Sequence, residues 1–132
     1  MAGIANPKDM QSVLAKWVEK LANDPKIAKA SDDLEVTIAF KIDDYNLQVH
    51  TEFLHGKVTG GLGEAEPPSM VVISMANDTF DGLWTGEVDA EAAAMSGEMS
   101  FAGEMNAAMG LQALYEDLAR LYIESKTELG VS

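Results

Sequence analysis

From Pro7 to Ala22 the apolar residues fall at 10, 13, 14, 17, 18 and 21, a 3.6-residue stripe that predicts an amphipathic helix. Asn6-Pro7 supplies its start, because an asparagine side chain accepts from free helix N–H groups and proline suits the first turn. Asn23-Asp24-Pro25 stops it, and a second short helix is expected over Pro25–Ala30. At Leu34 the period drops to two. Leu34, Val36, Ile38, Phe40 and Ile42 share one face of a half-buried strand, with Glu35, Thr37 and Lys41 on the other. Asp43-Asp44 marks a turn and Tyr45–Leu54 alternates again, which predicts an antiparallel hairpin. A third short strand is expected around Lys57–Thr59, followed by a glycine-rich loop through Gly63 and a further loop, Glu64-Ala65-Glu66-Pro67-Pro68. Met70–Ala76 is apolar on both faces, as suits a central strand or one with core on one side and a cavity on the other. Asn77-Asp78-Thr79 is expected to cap a short helix through Trp84, and Asp89 another over Ala90–Ser96 that Gly97 ends. Met99, Phe101, Gly103 and Met105 alternate as a last strand.

From Asn106 the period is helical again, with Leu111, Leu114, Tyr115, Leu118, Leu121 and Tyr122 in one stripe. A helix reaching Leu129 would be ~35 Å long at 1.5 Å per residue. Its last two turns carry a weak stripe and are expected to fray or to meet a partner. Helices, strands and helices without strict alternation argue for an α+β fold with a mainly antiparallel sheet covered on one face. The 132 residues suit a single domain over 1–132: N-terminal helices in 1–30, a sheet with two inserted helices in 34–105, and the long helix in 106–129.

Charge narrows the function classes. Nine Lys and Arg against 22 Asp and Glu give a net charge of −13, which leaves no basic face for nucleic acid and predicts little affinity for anionic membranes. There are no cysteines, hence no disulfides and no thiolate chemistry. The N-terminus lacks the basic and apolar regions of a signal peptide, and no run approaches a membrane span, so a cytoplasmic protein is expected. His50 and His55 are five residues apart on an extended run, on opposite faces, and do not form a metal pair. No serine lies in a nucleophile-elbow context, and the paired carboxylates sit in turns or on wet faces. The reading is therefore not an enzyme, with no metal and no cofactor. What remains is apolar. Four of the eight methionines fall between Asp78 and Leu121, and flexible thioethers suit either irregular core gaps or a cavity accepting variable apolar shapes. Gln112 and Tyr115, one helical turn apart, are candidates for the few polar groups that orient a ligand at a pocket mouth.

Four blocks of this stretch resemble, in order, those of the sterol-carrier-protein type 2 domain. Met70-Val71-Val72-Ile73-Ser74-Met75 followed by Asp78-Thr79-Phe80 looks like the family's central strand entering a helix. Leu83-Trp84-Thr85-Gly86-Glu87-Val88-Asp89 resembles its L-x-T-G-x-L-x-P turn, with Ala90 in place of proline. Ala92 to Met99 resembles A-F-x-x-G-K-L, with Glu98 in place of lysine. Phe101-Ala102-Gly103-Glu104-Met105 and Ala108-Met109-Gly110-Leu111 resemble the last strand and the opening of the final helix. The resemblance covers roughly residues 30 to 122. It implies a five-stranded sheet, helices on one side, and between them a hydrophobic tunnel for a sterol, fatty acid, fatty acyl-CoA or phospholipid, bordered by the last helix. Position by position, it implies a tunnel lining of Val72, Phe80, Leu83, Trp84, Met95, Met99, Phe101, Met105, Met109 and Leu114. The basic residues that family members use against membranes or CoA phosphates are missing here, and the chain ends Gly130-Val131-Ser132, without a peroxisomal tripeptide. Two functions are in view: a non-catalytic lipid carrier, or an accessory subunit that docks to a separate enzyme, or to a second copy, through its acidic surface and C-terminal helix.

Overall fold

The structure, a computed structural model, describes residues 3–65 and 69–131, with side chains for all of these but 105–111. The loop expected at 64–68 thus lies partly outside the described residues. In chain order the elements are α1 (Pro7–Asn23), α2 (Pro25–Ala30), β1 (Glu35–Ile42), β2 (Leu47–Leu54), β3 (Lys57–Leu62), β4 (Val71–Met75), α3 (Asn77–Thr85), α4 (Ala90–Ser96), β5 (Met99–Gly103) and α5 (Met105–Leu129). The five strands form one sheet in the order β3-β2-β1-β4-β5. The hairpin contacts and β4–β5 are antiparallel, and β1–β4 is parallel, joined by the crossover through β2 and β3. The fold is α+β with a mixed, mainly antiparallel sheet.

The register decides which residues meet the helices. Ile38 pairs with Val71, Phe40 with Ile73 and Ile42 with Met75. Across β5, Ile73 pairs with Phe101 and Met75 with Met99. These side chains share the face on which the helices pack, and all but the half-buried Phe101 are core. Lys41, Glu35 and Thr37 alternate to the other face. The apolar residue expected on both sides of Met70–Ala76 therefore divides as Val71, Ile73 and Met75 toward the helices, and Val72 and Ser74 away.

Several local readings are corrected. The run Tyr45–Leu54 does not begin as strand: Asp43–Tyr45 is a 3-10 turn ending at Asn46 in the left-handed region (φ 51°), and β2 starts at Leu47. Gly60 and Gly61 belong to β3 rather than to a loop. A Cβ at Gly60 would lie 2.5 Å from the His50 carbonyl oxygen and 3.2 Å from Val18 of α1, so glycine is what lets α1 lie close on this strand. The Asn77-Asp78-Thr79 cap is also different. Asn77 is already helical, and its side chain accepts from the Ile4 N–H (3.0 Å) and donates to Asp44 (2.8 Å), tying the N-terminal segment to the first turn of α3. Met105 opens α5 rather than closing β5. The Asn6 and Asp89 caps form as expected, each accepting a backbone N–H, from Asp9 and Ala92 respectively.

The core is centred on Trp17. Its ring lies 5.5 to 5.9 Å from those of Phe40, Phe80, Trp84 and Tyr122, mostly tilted or edge-on, the arrangement that adds ~0.5–1.5 kcal/mol per pair beyond burial. Its Nε1 donates to the Leu118 carbonyl oxygen at 2.9 Å, locking α1 to α5. Below this cluster Asp81, 5% exposed, accepts from the Tyr122 hydroxyl (2.8 Å) and from Lys126 Nζ (2.7 Å). Burial, then the neighbouring carboxylate, pushes the Tyr122 phenol well above its ordinary range, so it stays a donor. The last two turns of α5 are therefore packed. Ser125 is fully buried, Lys126 holds Asp81, and Glu128 pairs with Lys16 and Lys20 of α1.

Candidate ligand-binding cleft

A cavity of about 580 Å³ opens between the β4–β5 edge, α4 and α5, lined by Ile73, Ala90, Glu91, Ala94, Met99, Phe101, Gln112 and Tyr115. Its floor is the helix-facing side of β4 and β5, where register places Ile73 beside Phe101. One wall is α4. Asp89 holds its start and Gly97, at φ +85°, ends it, so Ala90 and Ala94 stand one turn apart with Ala93 buried beneath. Small residues there leave space instead of filling it. The opposite wall is α5, and its Tyr115 is fixed twice. The ring stacks on Trp84 (centroids 5.6 Å, 30°), and the hydroxyl donates to the Leu83 carbonyl oxygen at 2.5 Å. The volume falls in the range of roughly 300–1,000 Å³ usual for small-molecule sites, and an apolar floor with a few polar groups at the rim is their common design.

Of the residues expected at the site, Met99, Phe101, Gln112 and Tyr115 line this cleft. Phe80, Leu83, Trp84 and Leu114 are buried in the aromatic core behind it, with Trp84 reaching the wall only through its stack on Tyr115. Val72 is a correction. It pairs with Ala39 and Ala102 and faces away from the helices, so it cannot reach the cleft. Met95 is a second correction: it is 82% exposed, on the outside of α4. The side chains of Met105 and Met109 lie outside the described residues. Sequence reading missed Ile73, Ala90, Glu91 and Ala94. Alternation groups Ile73 with Val71 and Met75 on one face of β4, and the β1–β4 register shows that this is the face toward the helices. Ala90 and Ala94 carried a weaker signal, two small residues at helical spacing opposite an apolar strand.

No helix among the described residues is long and apolar enough to cross a membrane, and no three His, Asp or Glu side chains there gather as a metal-binding group. The sequence model of the SCP-2 sterol transfer family matches residues 14–116. This chain belongs to that family. SCP-2 domains bind and transfer lipids and are in general not catalytic. No curated protein matches the chain in sequence. Among solved structures, the crystal structure of sterol carrier protein 2 superposes with a TM-score of 0.63 at 19% identity, over 86% of this chain and 95% of that one. Sterol carrier protein 2 from Aedes aegypti, in complex with the C16 fatty acid palmitate, gives a TM-score of 0.50 at 18% identity, over 69% and 88%. The sec-alkylsulfatase Pisa1 from Pseudomonas sp. gives 0.56 at 15% identity, over 71% of this chain. The SCP-2 chain spans only 14% of that sulfatase's length. At such identities the likeness is one of fold.

Proposed function

We propose that the protein is a non-catalytic carrier that takes one apolar molecule, an acyl chain or a sterol-like body, into the cleft between β5, α4 and α5. The observation that carries this reading is the cleft itself: a recess between α4 and α5 whose floor is apolar, formed by Ile73, Met99 and the half-buried Phe101. Membership of a lipid-transfer family and the palmitate complex of the Aedes aegypti relative support the same use of the fold. Each methylene withdrawn from water contributes ~0.8 kcal/mol, so a C16 tail could gain roughly 10 kcal/mol before ordering costs. Release of the cargo would require α5 to shift.

The test is direct. Native mass spectrometry after mild purification should show co-purified lipid, and the protein should take up a C12 alcohol bearing an uncharged fluorophore. Phe101→Asp, which sets a charge on a half-exposed floor position, should cut that uptake at least about tenfold with the circular dichroism spectrum unchanged. An empty protein that takes up no probe removes the carrier reading. The accessory-subunit reading draws less support. The acids at the end of α5 are engaged by lysines of α1, and only Ile123 and Leu129 stand exposed as large apolar residues on that stretch.

A further inference from the structure

The polar atoms around the cleft are unequal in what they can offer. Among the described residues the polar side chains there are those of Glu91, Gln112 and Tyr115. The single hydroxyl proton of Tyr115 is committed to the Leu83 carbonyl oxygen, so toward the cleft the phenol oxygen can only accept. The Glu91 carboxylate, when ionised, is acceptor-only, and the Gln112 amide supplies the remaining donor. The described rim therefore favours a head group that donates.

Charge points the same way and extends past the rim. Residues 58–119, which supply β4, α3, α4, β5 and the first half of α5, hold eleven of the chain's 22 acids and no lysine, arginine or histidine. A smaller hollow at the start of α3 is also edged by carboxylates, Asp78 and Glu98. The chain's cations lie on α1, α2, β1, β3 and the second half of α5, where Lys16, Lys20, Arg120 and Lys126 pair with acids. A recess with low-dielectric walls focuses the field of the charges around it. A carboxylate head entering this one would find one described side-chain donor, the Gln112 amide, among acceptors and negative potential, which disfavours its ionised form. A hydroxyl or ammonium head would find acceptors it can donate to.

Resting on the carrier reading, we propose that the cleft selects cargo by its head: it takes amphiphiles ending in a hydrogen-bond donor without negative charge, a hydroxyl or an ammonium, and discriminates against the matching carboxylate. The experiment is displacement of the uncharged fluorescent alcohol by dodecylamine, dodecanol and laurate, each below its micelle threshold, at pH 7.5. Dodecylamine and dodecanol should displace the probe at concentrations about tenfold or more below laurate, a gap of ~1.4 kcal/mol. Raising NaCl to about 0.5 M should narrow the gap between amine and laurate, because screening weakens the field at the rim. Glu91→Gln should narrow that gap several-fold at low salt, since the amide removes the charge and adds a donor at the rim. Laurate displacing the probe as well as dodecanol at low salt overturns the inference. The probe separates the two claims: uptake of probe with preference for laurate sinks the head-group selection alone, and no uptake of probe sinks both.

Discussion

Two tryptophans show how alike buried residues differ in energetics. Trp17 and Trp84 are both at most 2% exposed and share the same aromatic cluster. The Trp17 indole N–H is bonded to Leu118, whereas the Trp84 Nε1 has no partner among the described residues. A buried donor left unpaired costs ~1–3 kcal/mol, so removing it recovers part of what the lost ring volume forfeits. Trp17→Phe should therefore lower unfolding stability by ~2–4 kcal/mol, and Trp84→Phe by about 1 kcal/mol or less. Urea titration of both variants checks this, and equal losses would show that the Trp84 N–H is satisfied. The same pair marks the limit of residue-level reading. Helical spacing put Trp17 and Leu114 on inward-facing stripes, the family resemblance put Phe80, Leu83 and Trp84 on the tunnel side, and all five are buried. Neither could tell a side chain that meets other side chains from one that meets empty space, because burial against either demands the same apolar character. Among the described residues of the expected lining, Met99, Phe101, Gln112 and Tyr115 stand at the cleft.

Between elements, contacts are fixed by groups whose local roles are easier to read than their distant ones. Asp24 caps α2 through the Ile27 N–H and also binds Arg120 of α5 at 2.8 Å. Burial would raise its pKa, but the hydrogen bonds from Arg120 and from the α2 backbone outweigh that and hold it below the ordinary 3.8. A depressed folded pKa means that the ion pair's contribution is present above about pH 4 and disappears as pH falls through the lower folded value. Asp24→Asn keeps a capping oxygen and removes the charge. It should cost about 1 kcal/mol near neutral pH, and the difference from the unaltered protein should shrink toward zero between about pH 4 and pH 2. Thermal melts across that range read it directly, and a constant difference would place the loss in the cap rather than in the pair. The break at Asn23-Asp24-Pro25 was visible in the sequence, while the tie of Asp24 to Arg120, nearly a hundred positions away, was not. The parallel β1–β4 pairing was hidden in the same way. Alternation gives each strand its faces but leaves the order of non-consecutive strands open, and Gly60 read as a loop residue until α1 was seen lying across it.

At the scale of the whole molecule, the asymmetry of charge bears on how cargo would be exchanged. With a net charge of −13, and no cation from residue 58 to residue 119, the half that carries the cleft should be repelled by an anionic bilayer. The lysines with no ion-pair partner among the described residues lie on other elements, so a surface that bound the membrane through them would not be the half that carries the cleft. Transfer of the fluorescent alcohol to vesicles should therefore be slower when they contain phosphatidylserine than when they are pure phosphatidylcholine. That difference should fade with salt, since the screening length falls from ~10 Å at 0.1 M to ~3 Å at 1 M. Stopped-flow transfer at both salt concentrations measures it. Faster delivery to phosphatidylserine vesicles at low salt would mean that the lysines of α1 and α2 steer the encounter and that cargo leaves by a route nearer to them. Slower delivery that salt restores would place the exit on the acidic half, where the cleft lies between β4–β5, α4 and α5.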